Sequence, residues 1–275
     1  MELYPMKMNP AFRHGKETPW GGRVLRDALM KDAPDAATGE SCEVCASSGY
    51  ESLIGNGKYA AMMLRVLGEK GVPEIFGDGI DELPVSVSLL DVAGETSGTV
   101  QSGTAWVILN REPDSVLEIG GETHRALPGD AFYLPAGCGY SLKNGVLLYS
   151  ASAARQAQSA CASPEKNEGT TVLARGGSVT YYVCDEGLEF CRLNLDGTMP
   201  LEPGRMLALT PTAPCRIIWG ESEAMDLVPF TTIAVPAGLK NARLEGRSKL
   251  LAACISDQEK LRSILDYRAG NVSGL

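Results

Sequence analysis

The chain alternates short apolar runs with turn-forming residues along most of its length. Runs such as "LPVSVSLLDV", "TAWVILN", "DAFYLPAG" and "GVLLYSAS" are rich in Val, Leu, Ile and aromatic residues, and Gly, Pro, Asn or Asp lies between them. Short runs of this composition bounded by turn residues are typical of antiparallel strands. We therefore predict a mainly β protein of the barrel or jelly-roll type.

Three segments instead carry apolar residues at helical spacing. They are residues 22–32, 59–70 and 256–268. In the first of them Val24, Leu25 and Ala28 fall on one face, and in the last Ser256 is a suitable N-cap. We expect these few short helices to decorate the sheets.

The segment "SASAARQAQSACASPEKNEG", residues 150–169, separates two regions with the strand pattern. It is small and polar without an apolar period, which indicates a linker. We therefore predict two domains, residues 1–158 and 159–275. Because "FYLPAG" in the first region is matched by "IAVPAG" in the second, we expect both to be jelly-roll barrels of one type.

The charge of the chain restricts its partners. Asp and Glu total 34 against 25 Lys and Arg, which gives a net charge of −9. Nucleic acids and anionic membranes bind through basic patches, so we expect neither as a partner. No apolar run has the length of a signal sequence or a membrane span, and we predict a cytoplasmic protein.

The eight cysteines lie mostly in apolar runs, where a free thiol packs as a small hydrophobic group. We predict that all are unpaired. Cys42 and Cys45 form a Cys-x-x-Cys, but their odd spacing on a strand sends the two side chains to opposite faces. No second pair of this kind completes a four-thiolate zinc site, so packing is the preferred interpretation.

Four stretches in order resemble type I mannose-6-phosphate isomerases in their short bacterial form with two cupin barrels. They are "TPWGGRVL", "GESCEVCAS", "NGKYAAMML" and "LPGDAFYLPAG". The resemblance extends in motif detail to about residue 150 and more loosely to about residue 255. It implies a mainly β fold of two cupin-type jelly-roll barrels and a sugar or sugar phosphate as the ligand.

Members of that family hold one divalent metal, usually zinc. Its ligands are a Gln and a His of a Gln-Val-His-Pro strand, a Glu one strand later, and a His after Pro-Ala-Gly. Carried onto this chain, these four positions fall on Thr99, Gln101, Ala105 and Tyr140. Neutral oxygens bind zinc weakly, Ala cannot bind it, and Tyr must lose a proton with a pKa of about 10. We therefore expect no metal and no other cofactor in the first barrel.

The remaining candidates for the pocket also come from the resemblance. The family's lysine falls on Ser88, and its arginine falls near Gln158 and Arg155. Trp20, Glu40 and Glu43 are further pocket candidates, although strand carboxylates commonly face solvent. His14 and His124 are the two histidines of the chain, and we expect both to be surface loop residues.

Three hypotheses on function remain open. The leading one is a degenerate isomerase-like protein that binds a sugar or sugar phosphate without metal-dependent catalysis. The second is an active aldose-ketose isomerase acting on mannose 6-phosphate through an altered site, with zinc. The third is a non-catalytic protein that uses its barrel faces for interaction or oligomerisation. Metal analysis together with an isomerase assay separates the first two.

Overall fold

The computed structural model describes residues 3–7, 24–29, 43–45, 74, 85–153, 165–184 and 188–254. Within them the fold is mainly β, as predicted. The strands are β1 (Met6–Lys7), β2 (Glu43–Cys45), β3 (Val85–Val92), β4 (Glu95–Thr99), β5 (Thr104–Arg111), β6 (Val116–Ile119), β7 (Glu122–His124), β8 (Ala131–Leu134), β9 (Gly139–Lys143), β10 (Val146–Ala153), β11 (Glu165–Asn167), β12 (Thr170–Ala174), β13 (Gly177–Cys184), β14 (Glu189–Leu201), β15 (Leu207–Pro211), β16 (Cys215–Trp219), β17 (Glu223–Leu227), β18 (Ile233–Val235) and β19 (Ala242–Cys254).

Helix α1 (Val24–Leu29) confirms the helix predicted within residues 22–32. Leu25 is fully buried, and its backbone N–H donates to the buried carboxylate of Asp91 at 3.1 Å. The first-turn amides of a helix have no partner within the helix, so this carboxylate satisfies one of them. The helices predicted at 59–70 and 256–268 lie outside the described residues.

The described residues fall into two compact units. We call the part containing 24–29, 43–45, 86–153 and 165–168 the first unit, and the part containing 3–7, 74, 169–184 and 188–254 the second unit. The predicted boundary near residue 158 stays a prediction. Two pairings join strands from opposite sides of it, because β1 pairs with β18 and β11 pairs with β8.

The first unit contains two antiparallel sheets among its described strands. One has the order β11-β8-β5-β10-β3-β2, and the other has the order β4-β9-β6-β7. A cluster of buried side chains from both sheets, including Trp106, Phe132 and Leu142, forms the interior between them. The first sheet is also buried on its other face, since Ala105 and Val107 are 1% exposed. Burial of both faces explains why "TAWVIL" is apolar throughout.

The second unit is built on one sheet in the order β1-β18-β15-β19-β14-β13-β12, with β16 joined to β19 and β17 to β16. Strands β14 and β19 pair along their whole length, from Glu189 with Cys254 to Leu201 with Ala242. Leu193, Leu209, Ile217 and Leu244 belong to its buried core. The second Pro-Ala-Gly turn, residues 236–238, directly follows β18, and β19 begins at Ala242.

Cys138 and Cys215, in the described part of the chain, are free thiols. They agree with the prediction of unpaired cysteines at those positions. No described helix has the length and apolar character needed to cross a membrane. The cytoplasmic location stays a prediction.

Candidate functional site

Tyr140 lies on the interior face of the first unit, just after the first Pro-Ala-Gly turn. In that turn the Cys138 amide donates to the Pro135 carbonyl at 3.0 Å, and strand β9 then begins. Tyr140 pairs with Gly98 of β4, and its side chain packs against the buried cluster. A Cβ atom built on Gly98 would lie 2.8 Å from the Tyr140 hydroxyl oxygen. The phenol therefore occupies the space that a larger residue at position 98 would need.

Trp106 meets Tyr140 from the opposite sheet. The two rings are 5.0 Å apart between centroids, with an interplanar angle of 77°, which is the favourable edge-to-face arrangement. Trp106 is 3% exposed, and its indole Nε1 donates to Ser150 Oγ at 3.1 Å. We call Gly98, Trp106, Tyr140 and Ser150 the aromatic plug. The sequence did not predict Gly98, Trp106 or Ser150 as members of the site, and the strand "TAWVIL" gave no signal for the facing of Trp106 because it is apolar throughout.

The other three positions carried over from the family do not face this interior. Thr99 pairs with Gly139, so its side chain is on the opposite face from Gly98 and Tyr140, where it is exposed. Gln101 is also exposed, and its Nε2 donates to the Thr99 carbonyl at 3.2 Å. Ala105 is buried on the face opposite Trp106. Only Tyr140 of the four positions therefore faces the interior.

The interior neighbours of those positions are Val100 and Thr104. Val100 belongs to the buried cluster, and the Thr104 hydroxyl donates to the Ser102 carbonyl at 2.8 Å. A one-residue offset along a strand exchanges the two faces, which is why the carried-over positions and the interior positions differ. Ser88 shares the alternation of Leu90 and Val92 on β3, which places it on the interior side. Trp20, Glu40, Arg155 and His14 lie outside the described residues.

His124 is not the surface loop residue that the sequence predicted. It ends strand β7 and pairs with Leu117 of the buried cluster, so its side chain lies on the interior face. Its ring is 5.3 Å from that of Phe132 between centroids. Its Nε2 is buried, and no described residue gives it a hydrogen-bond partner. The glycines before it suggested a solvated turn, whereas strand pairing directed the imidazole inward.

The donor set of this interior does not fit a divalent metal. Zinc in proteins is held by imidazole, thiolate and carboxylate groups. The interior positions beside the turn hold Gly98, Val100, Trp106 and Tyr140, and His124 adds one imidazole on this face. Burial raises the pKa of the Cys138 thiol, which a backbone hydrogen bond lowers only in part, so this group is a poor thiolate donor. Among the residues that the structure describes, no three His, Cys, Asp or Glu side chains cluster as a metal site would require.

The second Pro-Ala-Gly turn is closed by the same hydrogen bond as the first, but Gly137 has a positive φ of 83° and Gly238 does not. The Leu239 amide donates to the Pro236 carbonyl at 3.2 Å, and Leu239 is buried in the core of its unit as Cys138 is in the first. Here β19 begins with Ala242, which pairs with Leu201. One additional residue, Asn241, precedes it with φ of 54°, a left-handed conformation that Asn tolerates. Ala242 thus holds the interior position that Tyr140 holds in the first unit.

A pocket of 480 Å³ opens at this turn of the second unit. The buried residues Leu201, Leu239 and Ala242 contribute an apolar floor. Glu202, Lys240 and Asn241 also line the pocket and are exposed. The pocket therefore combines an apolar surface with one carboxylate, one ammonium group and one carboxamide.

Known isomerases resemble this chain in sequence. No protein-family model matches the chain. The chain is similar to a probable mannose-6-phosphate isomerase, GmuF of Bacillus subtilis strain 168, with 30% identity over 183 residues. The similarity covers 53% of this chain and 56% of the relative, so the chain spans little more than half the length of that curated protein. The resemblance to mannose-6-phosphate isomerases is confirmed.

Two solved structures share the fold over nearly the whole chain. The mannose 6-phosphate isomerase of Bacillus subtilis superposes with a TM-score of 0.72 at 17% identity, covering 92% of this chain and all of the other. A protein described as a putative mannosephosphate isomerase from Archaeoglobus fulgidus gives a TM-score of 0.64 at 16% identity and covers 94% of this chain and all of the other. At these identities the likeness establishes the fold, and function requires its own argument.

Proposed function

We propose that this chain is a mannose-6-phosphate isomerase-like protein that binds a sugar or sugar phosphate without carrying out metal-dependent isomerisation. The ligand class comes from the similarity to the Bacillus subtilis proteins, whose names specify mannose 6-phosphate. The loss of catalysis is supported by one observation. The aromatic plug occupies the interior beside the first Pro-Ala-Gly turn with side chains that are not zinc ligands.

The physical argument concerns charge. A divalent cation in a protein interior needs anionic or strongly polar donors, because transferring it from water without them is very unfavourable. Gly98 and Val100 supply no donor, and Trp106 supplies an N–H group that already binds Ser150. Tyr140 could coordinate only as a phenolate, which requires loss of a proton with an ordinary pKa of about 10. His124 adds one imidazole on the same face, and a single imidazole does not complete a zinc site. These side chains therefore do not supply the donor set for an ion that would assist proton transfer as a Lewis acid.

The test is an isomerase assay with the full chain. We expect no conversion of mannose 6-phosphate to fructose 6-phosphate with added zinc or manganese, while an active mannose-6-phosphate isomerase run in parallel converts it. We also expect zinc to leave the melting temperature unchanged, and metal analysis to find no stoichiometric ion. Conversion at an appreciable rate, or one tightly held ion per chain, would contradict the proposal. Calorimetric titration with mannose 6-phosphate then tests binding directly.

A further inference from the structure

The two Pro-Ala-Gly turns differ in the residue that enters the interior after each turn. In the first unit the aromatic side chain of Tyr140 fills this position and contacts Trp106. In the second unit the equivalent position is Ala242, and a pocket of 480 Å³ lies beside it. A phenol at this position of the first unit is therefore matched by a methyl group in the second, beside which the pocket opens.

The size and lining of the pocket fit a phosphorylated monosaccharide. Small-molecule sites typically have volumes of about 300–1,000 Å³ and combine apolar walls with a few polar groups. The apolar floor of Leu201, Leu239 and Ala242 offers a surface for the C–H face of a sugar ring. Glu202 can accept hydrogen bonds from sugar hydroxyls, and the Asn241 carboxamide can both donate and accept.

Lys240 supplies the charge that a phosphate needs. Its ammonium group is a compact cation with three donors, and its side chain is exposed at the pocket. Within the described part of the chain, no ion pair involves Lys240. The cation is thus available to a ligand. The carboxylate of Glu202 also lines the pocket and repels a ligand that carries only negative charge. Recognition therefore requires sugar hydroxyls that donate hydrogen bonds to this carboxylate.

We propose that the pocket at the second Pro-Ala-Gly turn, and not the interior of the first unit, is the sugar-phosphate site of this chain. This inference rests on the proposed function for the class of ligand. It assigns the ammonium group of Lys240 to the phosphate and the Glu202 and Asn241 side chains to the hydroxyls. The methyl group of Ala242 keeps the floor open.

The experiment is calorimetric titration of the full chain with mannose 6-phosphate, mannose and inorganic phosphate. We expect mannose 6-phosphate to bind more tightly than either of the others. Lys240→Gln should weaken its binding by about tenfold or more, as expected for loss of a charged hydrogen bond. Ala242→Tyr places in the second unit the residue that Tyr140 provides in the first, and it should abolish binding because the ring would occupy the pocket.

Two substitutions serve as matched controls. Lys249→Gln removes the same charge from an exposed position on β19, and Ala224→Tyr adds the same ring at an exposed position on β17. Both should leave the dissociation constant within about twofold, a free-energy change smaller than that of one hydrogen bond. Melting curves verify that each variant is folded. If Ala242→Tyr does not fold, the surface variant Lys240→Gln still tests the inference.

Three results would count against the inference. If wild-type protein binds mannose 6-phosphate but Lys240→Gln and folded Ala242→Tyr bind it equally well, the site is elsewhere and the proposed function stands. If inorganic phosphate binds as tightly as the sugar phosphate, the pocket does not recognise a sugar. If the wild type binds none of the three probes, both the inference and the proposed ligand class are overturned.

Discussion

The first and second units share a Pro-Ala-Gly turn closed by the same backbone hydrogen bond, and the chain that follows the turn differs between them. In both, the residue after Pro-Ala-Gly enters the core and its amide donates to the proline carbonyl. The first unit then directs Tyr140 inward over Gly98, whereas the second adds Asn241 and directs Ala242 inward. A large side chain thus contacts Trp106 at one interior position, and a small one lines a pocket at the equivalent position.

The largest expected effect comes from removing Trp106. Trp106→Ala should destabilise the first unit by about 3–5 kcal/mol, because a large buried ring leaves a cavity that the surroundings fill only in part. Hydrogen exchange of the β5 and β9 amides, which monitors one unit separately, measures this change. Trp106→Phe is the control, since it keeps a ring against Tyr140 and loses the bond to Ser150. Equal stability of wild type and Trp106→Ala would show that the plug does not support the first unit.

The next effect concerns the close approach of Gly98 and Tyr140. Gly98→Ala should cost about 1–3 kcal/mol, because the new methyl group would overlap the phenol of Tyr140 and force it to move. Gly139→Ala is the control, since its Cβ would come no closer than 3.9 Å to the Gly98 carbonyl oxygen. Combining Gly98→Ala with Tyr140→Ala should make the glycine substitution nearly neutral. Additive costs in a denaturation series would refute the proposed contact.

Sequence patterns predicted the parts of this comparison that are local. The mainly β composition, helix α1 and both Pro-Ala-Gly turns come from short-range patterns, and Tyr140 was singled out by the resemblance to the isomerase family. The side of the sheet on which the Thr99 and Ala105 side chains lie does not follow from such patterns. The segment "ETSGTVQSG" is polar at odd and even positions alike, and "TAWVIL" is apolar at both, so neither shows which face is buried.

Long-range pairing was equally inaccessible from the sequence. Nothing in the two residues of β1 indicates a partner in β18, and nothing in β11 indicates β8. The inward position of His124 depends on pairing with Leu117, and the pocket depends on which residues two separate loops bring together. Such features arise from tertiary structure, which overrides local preference.

A smaller effect distinguishes the cores of the two units. The half-buried imidazole of His124 lies against Phe132 of the first core. Its Nε2 is buried and has no partner among the described residues, and the second unit's sequence contains no histidine. His124→Leu should raise the unfolding free energy of the first unit by about 1 kcal/mol, because it removes an unsatisfied polar atom. His124→Asn, which keeps a polar group and loses the contact with Phe132, should lower it. The opposite order in urea denaturation would mean that the imidazole is satisfied.

The smallest effect comes from exposed ion pairs on the two units. Lys143 Nζ lies 2.8 Å from Glu95 Oε1 in the first unit, and Arg216 Nε lies 2.7 Å from Asp226 Oδ1 in the second. The hydrogen bond from Arg216 and its charge lower the pKa of Asp226 from its ordinary 3.8. The hydrogen bond to Glu95 and its charge raise the pKa of Lys143 from its ordinary 10.5.

These two directions predict opposite pH dependences. The contribution of Asp226 is complete above its ordinary pKa and is lost as the pH falls through the lowered value. The contribution of Lys143 is complete below its ordinary pKa and is lost as the pH rises through the raised value. We expect Asp226→Asn to lower the melting temperature slightly at neutral pH and not in strong acid, and high salt to remove the difference. A difference that persists in acid would contradict this assignment.

The pairing of β1 with β18 has a consequence for the order in which the molecule is completed. Met6 pairs with Ala234, so the ribosome makes one partner long before the other. Contacts between residues so distant along the chain form late and slow folding. The sheet of the second unit therefore lacks its edge strand until β1 pairs with β18. Pulse-labelled hydrogen exchange during refolding should show the amides of β1 and β18 becoming protected together, after those of the local β16–β17 hairpin.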